Sequence, residues 1–182
     1  MNVISKHIIH NELSKVRLPL KLDLQYFAAT MRVQDAINGA SAECYVTILG
    51  RRYNFAQALN IEAEMEKQKS EVPILGRISR GNKANGVTYT ASATFHFNTS
   101  IFREILYHYK ETGEDIYFEM QCTNHDPTSS VGRQTIILKD CNLDGGKLVN
   151  IDVEADYLED EISFTFEDWE MPEKFSLLKE ME

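Results

Sequence analysis

Two long segments of alternating apolar and polar residues dominate the middle of this chain. From residue 59 to residue 66 every odd position is apolar and every even position is polar. The same alternation continues for residues 87–98. Because a period of two places successive side chains on opposite faces of a β-strand, both segments are predicted to be strands with one inward and one polar face. Strands this long leave backbone edges that need a partner, and another subunit often supplies it.

Shorter segments of the same kind predict further strands on either side of this central pair. They are rich in β-branched and aromatic residues, which favour strands. The full set of predicted strands covers residues 42–49, 53–66, 87–98, 115–123, 135–141, 148–157 and 162–166. Gly50 lies in a tight turn between the first two, and Asp144, Gly145 and Gly146 predict a second turn.

One segment has the spacing of an amphipathic helix. The apolar residues between Ile101 and Thr112 fall on one stripe, Thr99 or Ser100 can cap the N-terminus, and Gly113 can end the helix. One helix among many strands predicts a mainly β fold, a β-barrel or sandwich with one flanking α-helix.

The length of 182 residues fits one domain with a substantial core. We predict an N-terminal arm or leader over residues 1–33, a β domain over residues 34–171 and a C-terminal tail over residues 172–182. Charges and histidines interrupt every apolar run of the arm, which argues against a secretory signal. No run approaches the roughly twenty apolar residues that a membrane span needs.

A long polar connection, residues 67–85, is predicted between the two central strands. Connections of this length inside a small domain are often functional. This one combines apolar residues with cations, and exposed apolar residues in a loop favour contact with a partner, while packing on its own core is the alternative. The candidate contact residues are Val72, Pro73, Ile74, Leu75, Gly76, Arg77, Arg80 and Lys83.

The net charge of −9 is concentrated after residue 30. Acidic residues recur on the polar face of the first central strand and again in residues 150–173, where Lys and Arg are absent. Such surfaces repel nucleic acid, because Lys and Arg provide affinity for phosphate. A repelling surface can still line a conduit. The two acidic faces are Glu62, Glu64 and Glu66, and Asp152, Glu154 and Asp156.

No arrangement of residues points to an enzyme, a cofactor or a metal. Cys122 and His125 have a C-x-x-H spacing, but a zinc site normally has two close pairs. Ser129 and Ser130 lie outside any nucleophile elbow, and no glycine-rich phosphate loop is present. Three cysteines without close pairing predict buried free thiols rather than disulfides; they are Cys44, Cys122 and Cys141.

The succession of motifs resembles the tail tube proteins of contractile phages and phage-like bacteriocin particles, in the subfamily of defective prophages. The resemblance covers about residues 35–170. It rests on Gly50-Arg51-Arg52, the acidic strand, Ile74-Leu75-Gly76, Asn85-Gly86-Val87, Thr112-Gly113, Asp126-Pro127 and Phe164-Thr165-Phe166-Glu167-Asp168, in that order. Residues 22–29 also resemble a short tag found near the start of many phage head and tail gene products.

This resemblance implies a structural, non-enzymatic subunit whose hexameric rings stack into a tube inside a contractile sheath. Residues 67–85 would form an inter-ring loop, and one of the two acidic faces would line the lumen. The implied partners are further copies of the chain, the sheath, the tape measure and the baseplate, with DNA as passing cargo and no membrane. The implied location is the tail of a virion or phage-like particle, after synthesis in the bacterial cytoplasm.

Two alternatives stay open. A baseplate or terminator ring protein can share this fold, since fold does not fix function. A monomeric β-barrel could bind a small ligand among Tyr45, Tyr89, Phe95 and Phe97.

Overall fold

A computed structural model describes residues 31–178, which contain eight β-strands, one α-helix and two short 3-10 helices. The predicted mainly β fold with one flanking helix is confirmed. The predicted N-terminal arm lies outside the described residues except for its last three. The strands are Glu43–Ile48 (β1), Arg51–Asn54 (β2), Ala58–Val72 (β3), Gly81–His96 (β4), Phe118–His125 (β5), Arg133–Gly146 (β6), Glu159–Thr165 (β7) and Asp168–Glu173 (β8). The helices are Ile101–Thr112 (α1), Val33–Asp35 and Gly39–Ser41.

Strand β6 belongs to two antiparallel sheets. Its first half pairs with β5 and β8, and residues 142–146 pair with β7. Asp140 adopts a left-handed backbone conformation, with φ of 51°, just before the change of partner. Asp is one of the few non-glycine residues that tolerate this conformation. The first sheet therefore has the order β2-β1-β5-β6-β8, and the second has the order β6-β7-β4-β3.

Phenylalanine side chains fill the space between the two sheets. The rings of Phe118 on β5 and Phe164 on β7 have centroids 5.4 Å apart, so the sheets face each other across one core. Helix α1 closes one side of this core, where Phe102 packs 5.4 Å from Phe55 and 5.5 Å from Phe95. Burying each of these rings contributes about 1.5–3 kcal/mol.

The ends of α1 follow from local sequence. Thr99 Oγ1 accepts a hydrogen bond from the backbone N–H of Ile101 at 3.4 Å. At the other end, Gly113 has φ of 73° and its N–H donates to the carbonyl of Tyr109 at 2.8 Å. Glycine adopts this left-handed conformation without the steric cost that a Cβ would add. The predicted helix is thus confirmed at both ends.

A buried ion pair ties α1 to β7. Arg103 Nη1 donates to Asp160 Oδ2 at 2.5 Å, and Arg103 Nη2 donates to the carbonyl of Thr99 at 3.0 Å. The guanidinium also lies 4.1 Å from the ring centroid of Phe97. Asp160 is almost fully buried, so removing Arg103 would leave a carboxylate without a charge partner.

Several predicted boundaries differ from the structure. The predicted strand 53–66 is two strands, because the chain turns at Phe55, whose N–H donates to Cys44 and whose carbonyl accepts from Ala58. As a result β2 pairs with β1, whereas β3 pairs with β4 in the other sheet. The turn predicted at residues 144–146 lies inside β6. Strand β8 continues to Glu173, two residues into the predicted tail.

Candidate assembly interface

Strands β3 and β4 continue as a hairpin well beyond the rest of their sheet. They pair from Ala58 and Phe95 to Val72 and Gly81, whereas β7 pairs with β4 only from Thr90 to His96. The prediction of a loop over residues 67–85 is therefore wrong in extent, since only residues 73–80 form the tip. A register shift between Gln68 and Lys69 interrupts the alternation, which explains why the pattern alone ended the strand too early.

The tip exposes apolar side chains. Leu75 and Ile78 are fully exposed, and Ile74 is partly exposed. Arg80 is paired with Glu71 at 3.2 Å. Of the candidate contact residues, Val72 and Lys83 lie on the strands of the hairpin and the other six lie in the tip. Sequence reasoning missed Ile78, although its apolar character in a polar segment is the same signal that pointed to Leu75.

The hairpin also leaves one face of its strands uncovered. Met65 and Val87 were predicted to face inward, but they are 44% and 45% exposed. Further along the same face of β4, Ala91, Ala93 and Phe95 are buried in the core. The prediction of a buried face is thus correct for the inner half of β4 and wrong for the outer half, because in this chain only the inner half is covered by the opposing sheet.

The opposite face of the second sheet is acidic and rich in hydroxyl groups. Glu62 is opposite Ser92, and Glu64 is opposite Thr90. On the next strand, Ser163 is opposite Ser92 and Thr165 is opposite Thr90. Glu66 lies beside Thr88. All three glutamates are exposed. The first candidate lumen face is therefore one continuous polar surface. No Lys or Arg occurs among the β3 residues 60–66 or among the β4 and β7 residues paired beside them.

The second candidate face does not lie on a strand. Asp152, Glu154 and Asp156 belong to residues 147–158, which form no helix or strand. The N–H of Glu154 donates to Asp152 Oδ1 at 3.0 Å, a local turn that competes with strand pairing. The prediction of a strand here is wrong. We call residues 147–158 the acidic loop, although it also exposes Leu148, Val149, Ile151, Val153 and Tyr157.

The acidic loop and the hairpin tip lie at opposite ends of the second sheet. His96, at the inner end of β4, pairs with Glu159, which directly follows the acidic loop. The tip follows Val72 and precedes Gly81, at the outer end of the same strands. At about 3.4 Å per residue, the length of β4 separates the two by about 50 Å.

Both edges of the second sheet have unpaired backbone groups. Among the described residues, β3 pairs only with β4, so its other edge has no partner strand. At the other edge, residues 142–146 of β6 pair with β7 alone. A long exposed edge is a template for pairing with another chain.

Two aspartates hold the segment before β1 against the connection between β5 and β6. Asp35 Oδ1 accepts hydrogen bonds from the hydroxyl of Ser130 at 2.7 Å and from its N–H at 3.1 Å, and these bonds lower the pKa of Asp35. Asp126 accepts from the hydroxyl and N–H of Thr128 and from the N–H of Asn38, which lowers its pKa as well.

The aromatic residues of the ligand-binding alternative do not share a cavity. Phe95 is buried in the core, and Tyr89 packs on Phe166. Tyr45 lies under Arg52, and Phe97 lies under Arg103. Within residues 31–178 no cluster of His, Cys, Asp and Glu could hold a metal ion, and no helix is long and apolar enough to span a membrane.

Comparison with known families shows the family to which this chain belongs. The family model described as phage tail tube protein matches residues 29–173. The chain belongs to the phage tail tube protein family. This chain is 36% identical over 146 residues to the phage-like element PBSX protein XkdM of Bacillus subtilis strain 168. The alignment covers 80% of this chain and 97% of XkdM.

Solved structures show the same fold at low sequence identity. A chain of the anti-feeding prophage baseplate matches with a TM-score of 0.56 at 10% identity, covering 71% of this chain and 91% of that chain. A chain of the sheath–tube complex of the extracellular contractile injection system PVC matches with a TM-score of 0.53 at 9% identity, covering 76% and 93%. The tail tube family member therefore shares its fold with subunits of contractile injection systems.

Proposed function

We propose that this chain forms hexameric rings that stack into the tube of a phage or phage-like tail, inside a contractile sheath. The observation that supports this best is the projecting β3–β4 hairpin, whose apolar face and outer edge are uncovered within the described chain. Membership of the phage tail tube protein family supports a structural role for the chain, and we propose no catalytic role.

Each ring closes through the two unpaired edges of the second sheet. Strand β3 of one copy pairs with residues 142–146 of β6 in the next copy, which satisfies the exposed backbone groups of residues 142–146 and of the part of β3 that lies opposite them. The second sheets then join into one continuous barrel. Contact between different edges is heterologous, and it closes into a ring when the rotation between copies allows.

The acidic face of the joined sheets lines the lumen. We choose Glu62, Glu64 and Glu66 over the acidic loop, because only the first set lies on a continuous sheet face. A surface of carboxylates and hydroxyls without cations lets DNA or a tape measure protein pass without strong binding. Sheath and baseplate proteins are the further partners, and the assembled subunit is a tail component made in the host cytoplasm.

Rings stack when the hairpin tip of one ring contacts the acidic loop of the next. The tip offers Leu75, Ile78 and the cation Arg77, and the acidic loop offers apolar side chains between carboxylates. Because the two surfaces lie at opposite ends of one sheet, the contact repeats head to tail without closing, as a filament requires.

Electron microscopy of a shortened hairpin tests the stacking contact. Residues 73–80 are replaced by Asn-Gly, a two-residue turn that suits the paired ends Val72 and Gly81. We expect the variant to stay folded and to form rings that do not extend into tubes. Unchanged tubes, or loss of the fold measured by circular dichroism, would contradict the docking role.

A matched pair of substitutions separates tip contacts from general surface effects. Leu75→Asn removes an exposed leucine from the tip, and Leu49→Asn removes an exposed leucine from the β1–β2 turn. We expect shorter or no tubes for Leu75→Asn and normal tubes for Leu49→Asn. Equal effects of the two substitutions would show that the tip is not special.

A baseplate or terminator ring protein is the second candidate function. The likeness to a chain of the anti-feeding prophage baseplate favours it, although that likeness concerns the fold alone. This candidate predicts that the unmodified protein forms single rings at every concentration. Tubes whose length increases with concentration would exclude it.

A further inference from the structure

We infer that Cys44 and Cys122 form a thiol pair that reacts with low-molecular-weight disulfides and closes a cross-strand disulfide. The two residues are directly opposite each other in the register of β1 and β5, and both are free thiols. Residues opposite each other in adjacent strands project from the same face of the sheet. Their proximity does not depend on whether the chain assembles into rings.

The pair occupies the type of position at which opposite side chains approach most closely. Along an antiparallel strand, the N–H and C=O of one residue point to the same neighbouring strand. The carbonyl of Cys44 accepts from the N–H of Phe55, on the side of β2. Cys44 and Cys122 are therefore a non-hydrogen-bonded pair, with an expected Cα separation of about 4.5 Å. Disulfides form at Cα separations of roughly 4.4–6.8 Å, so little backbone movement is needed.

A small oxidant can reach the pair through a groove. The groove has a volume of about 710 Å³ and is lined by both cysteines together with Ala40, Phe55 and Ile61, among others. Cys122 is partly exposed in it, whereas Cys44 is 5% exposed. Cys141 is fully buried and does not line the groove.

Exposure makes Cys122 the attacking thiol, because Cys122 is partly exposed in the groove whereas Cys44 is buried. In addition, the neighbouring Cys44 thiol lowers the pKa of Cys122. The Cys122 thiol and burial together raise the pKa of Cys44. Because the thiolate is the nucleophile in thiol–disulfide exchange, Cys122 reacts first and Cys44 second.

The reaction is an exchange in two steps. The Cys122 thiolate attacks one sulfur of oxidised glutathione, the S–S bond breaks, and one glutathione leaves as a thiolate that takes up a proton. Cys44 then loses its proton, and its sulfur attacks Cys122 and displaces the second glutathione. Two electrons pass from the protein thiols to glutathione, and the two protein protons end on the two released thiols. The product links β1 to β5 across the groove.

Mass spectrometry of the full-length protein tests this inference. The reduced, folded protein is treated with oxidised glutathione, quenched with a thiol-alkylating reagent under denaturing conditions and digested. We expect a mass loss of two hydrogen atoms, a peptide that joins Cys44 to Cys122, and alkylated Cys141. Reduction with dithiothreitol should restore three free thiols, and the oxidised protein should unfold at a higher temperature than the reduced one.

Single substitutions establish the order of the reaction. Cys44→Ser should stop at a glutathione adduct on Cys122, Cys122→Ser should leave Cys44 unmodified, and Cys141→Ser should react like the unmodified protein. A stable adduct on Cys122 of the unmodified protein, faster reaction of Cys141, or no reaction in the folded state would overturn the inference. These three outcomes are read from the unmodified protein, so they do not depend on the folding of any variant.

Discussion

The alternating pattern of β4 begins at Val87, in the outer half of the strand, and continues through the inner half, but the surroundings of the two parts are opposite. In the inner half, Ala91, Ala93 and Phe95 lie in the core between two sheets. In the outer half, Val87 is 45% exposed, and Met65, which lies on β3 diagonally opposite Val87, is 44% exposed. Alternation therefore identifies the face to which a side chain belongs, whereas the surrounding layers decide whether that face is covered.

This difference explains why the outer hairpin suits assembly. A face that is apolar but uncovered gains free energy, about 25 cal/mol per Å² of apolar surface, when another copy covers it. The inner half has already gained this free energy within the monomer. Substitutions in the inner half should therefore affect folding, and substitutions in the outer half should affect association.

The largest expected effect is that of Phe95→Ala. Phe95 is 0% exposed and packs against Phe55 and Phe102, so its removal leaves a cavity that should cost about 3–5 kcal/mol of the free energy of unfolding. Chemical denaturation of the monomer measures this loss. Val87→Ala is the matched control from the outer half and should change the same quantity by less than about 1 kcal/mol. Equal losses would remove the distinction between the two halves.

Arg103→Met should have the next largest effect, because it leaves Asp160 buried without its charge partner. We expect a loss of about 3 kcal/mol in the free energy of unfolding. The double variant Arg103→Met with Asp160→Asn should recover part of this loss, since the amide carries no charge. A double-mutant cycle measures the coupling, and additive losses would show that the pair is not coupled.

Met65→Ser combined with Val87→Ser should hardly alter the monomer, with a change in unfolding free energy of about 0.5 kcal/mol or less. The same substitutions remove apolar surface that we expect a neighbouring copy to cover. Tube formation should therefore need a higher protein concentration, which sedimentation and electron microscopy can measure. Normal assembly of this variant would show that the uncovered face is not an interface.

The smallest expected effect concerns pH and the segment before β1. The pKa values of Asp35 and Asp126 are lowered below 3.8, so their ionised forms stabilise the folded state. This contribution is complete above about pH 4 and is lost as the pH falls through the folded-state pKa values. The protection factors of residues 33–42 in hydrogen exchange should fall over that range, while those of β4 stay high. Asp35→Asn should show the lower protection factors already at neutral pH.

The sequence predicted an element correctly where residues at its ends or along its length give a local signal. Helix α1 was predictable because its apolar stripe ends at Gly113, and the inner part of β4 was predictable from its alternation. Residues 148–157 alternate equally well, yet they form no strand, and the N–H of Glu154 bonds locally to Asp152 instead. The change of sheet at Phe55 also lacks a local signal, because the aromatic residue continues the strand-like composition.

The candidate surfaces were predictable in part for the same reason. The acidic face of β3 follows from a period of two, so Glu62, Glu64 and Glu66 could be grouped from sequence alone. The closeness of Cys44 and Cys122 could not, because it depends on the register of β1 with β5, two strands far apart in the chain. Long-range register is set by the packing of the whole core rather than by either segment.

The opposite placement of the tip and the acidic loop would give a stack of these subunits a direction. One end of such a tube would present a ring of apolar, basic tips, and the other end would present a ring of acidic loops. The two ends would then differ in charge and in hydrophobicity, so no single protein surface could terminate both. The tube would grow from one end and attach to other proteins at the other end. This order of assembly would follow from the length of the β3–β4 hairpin.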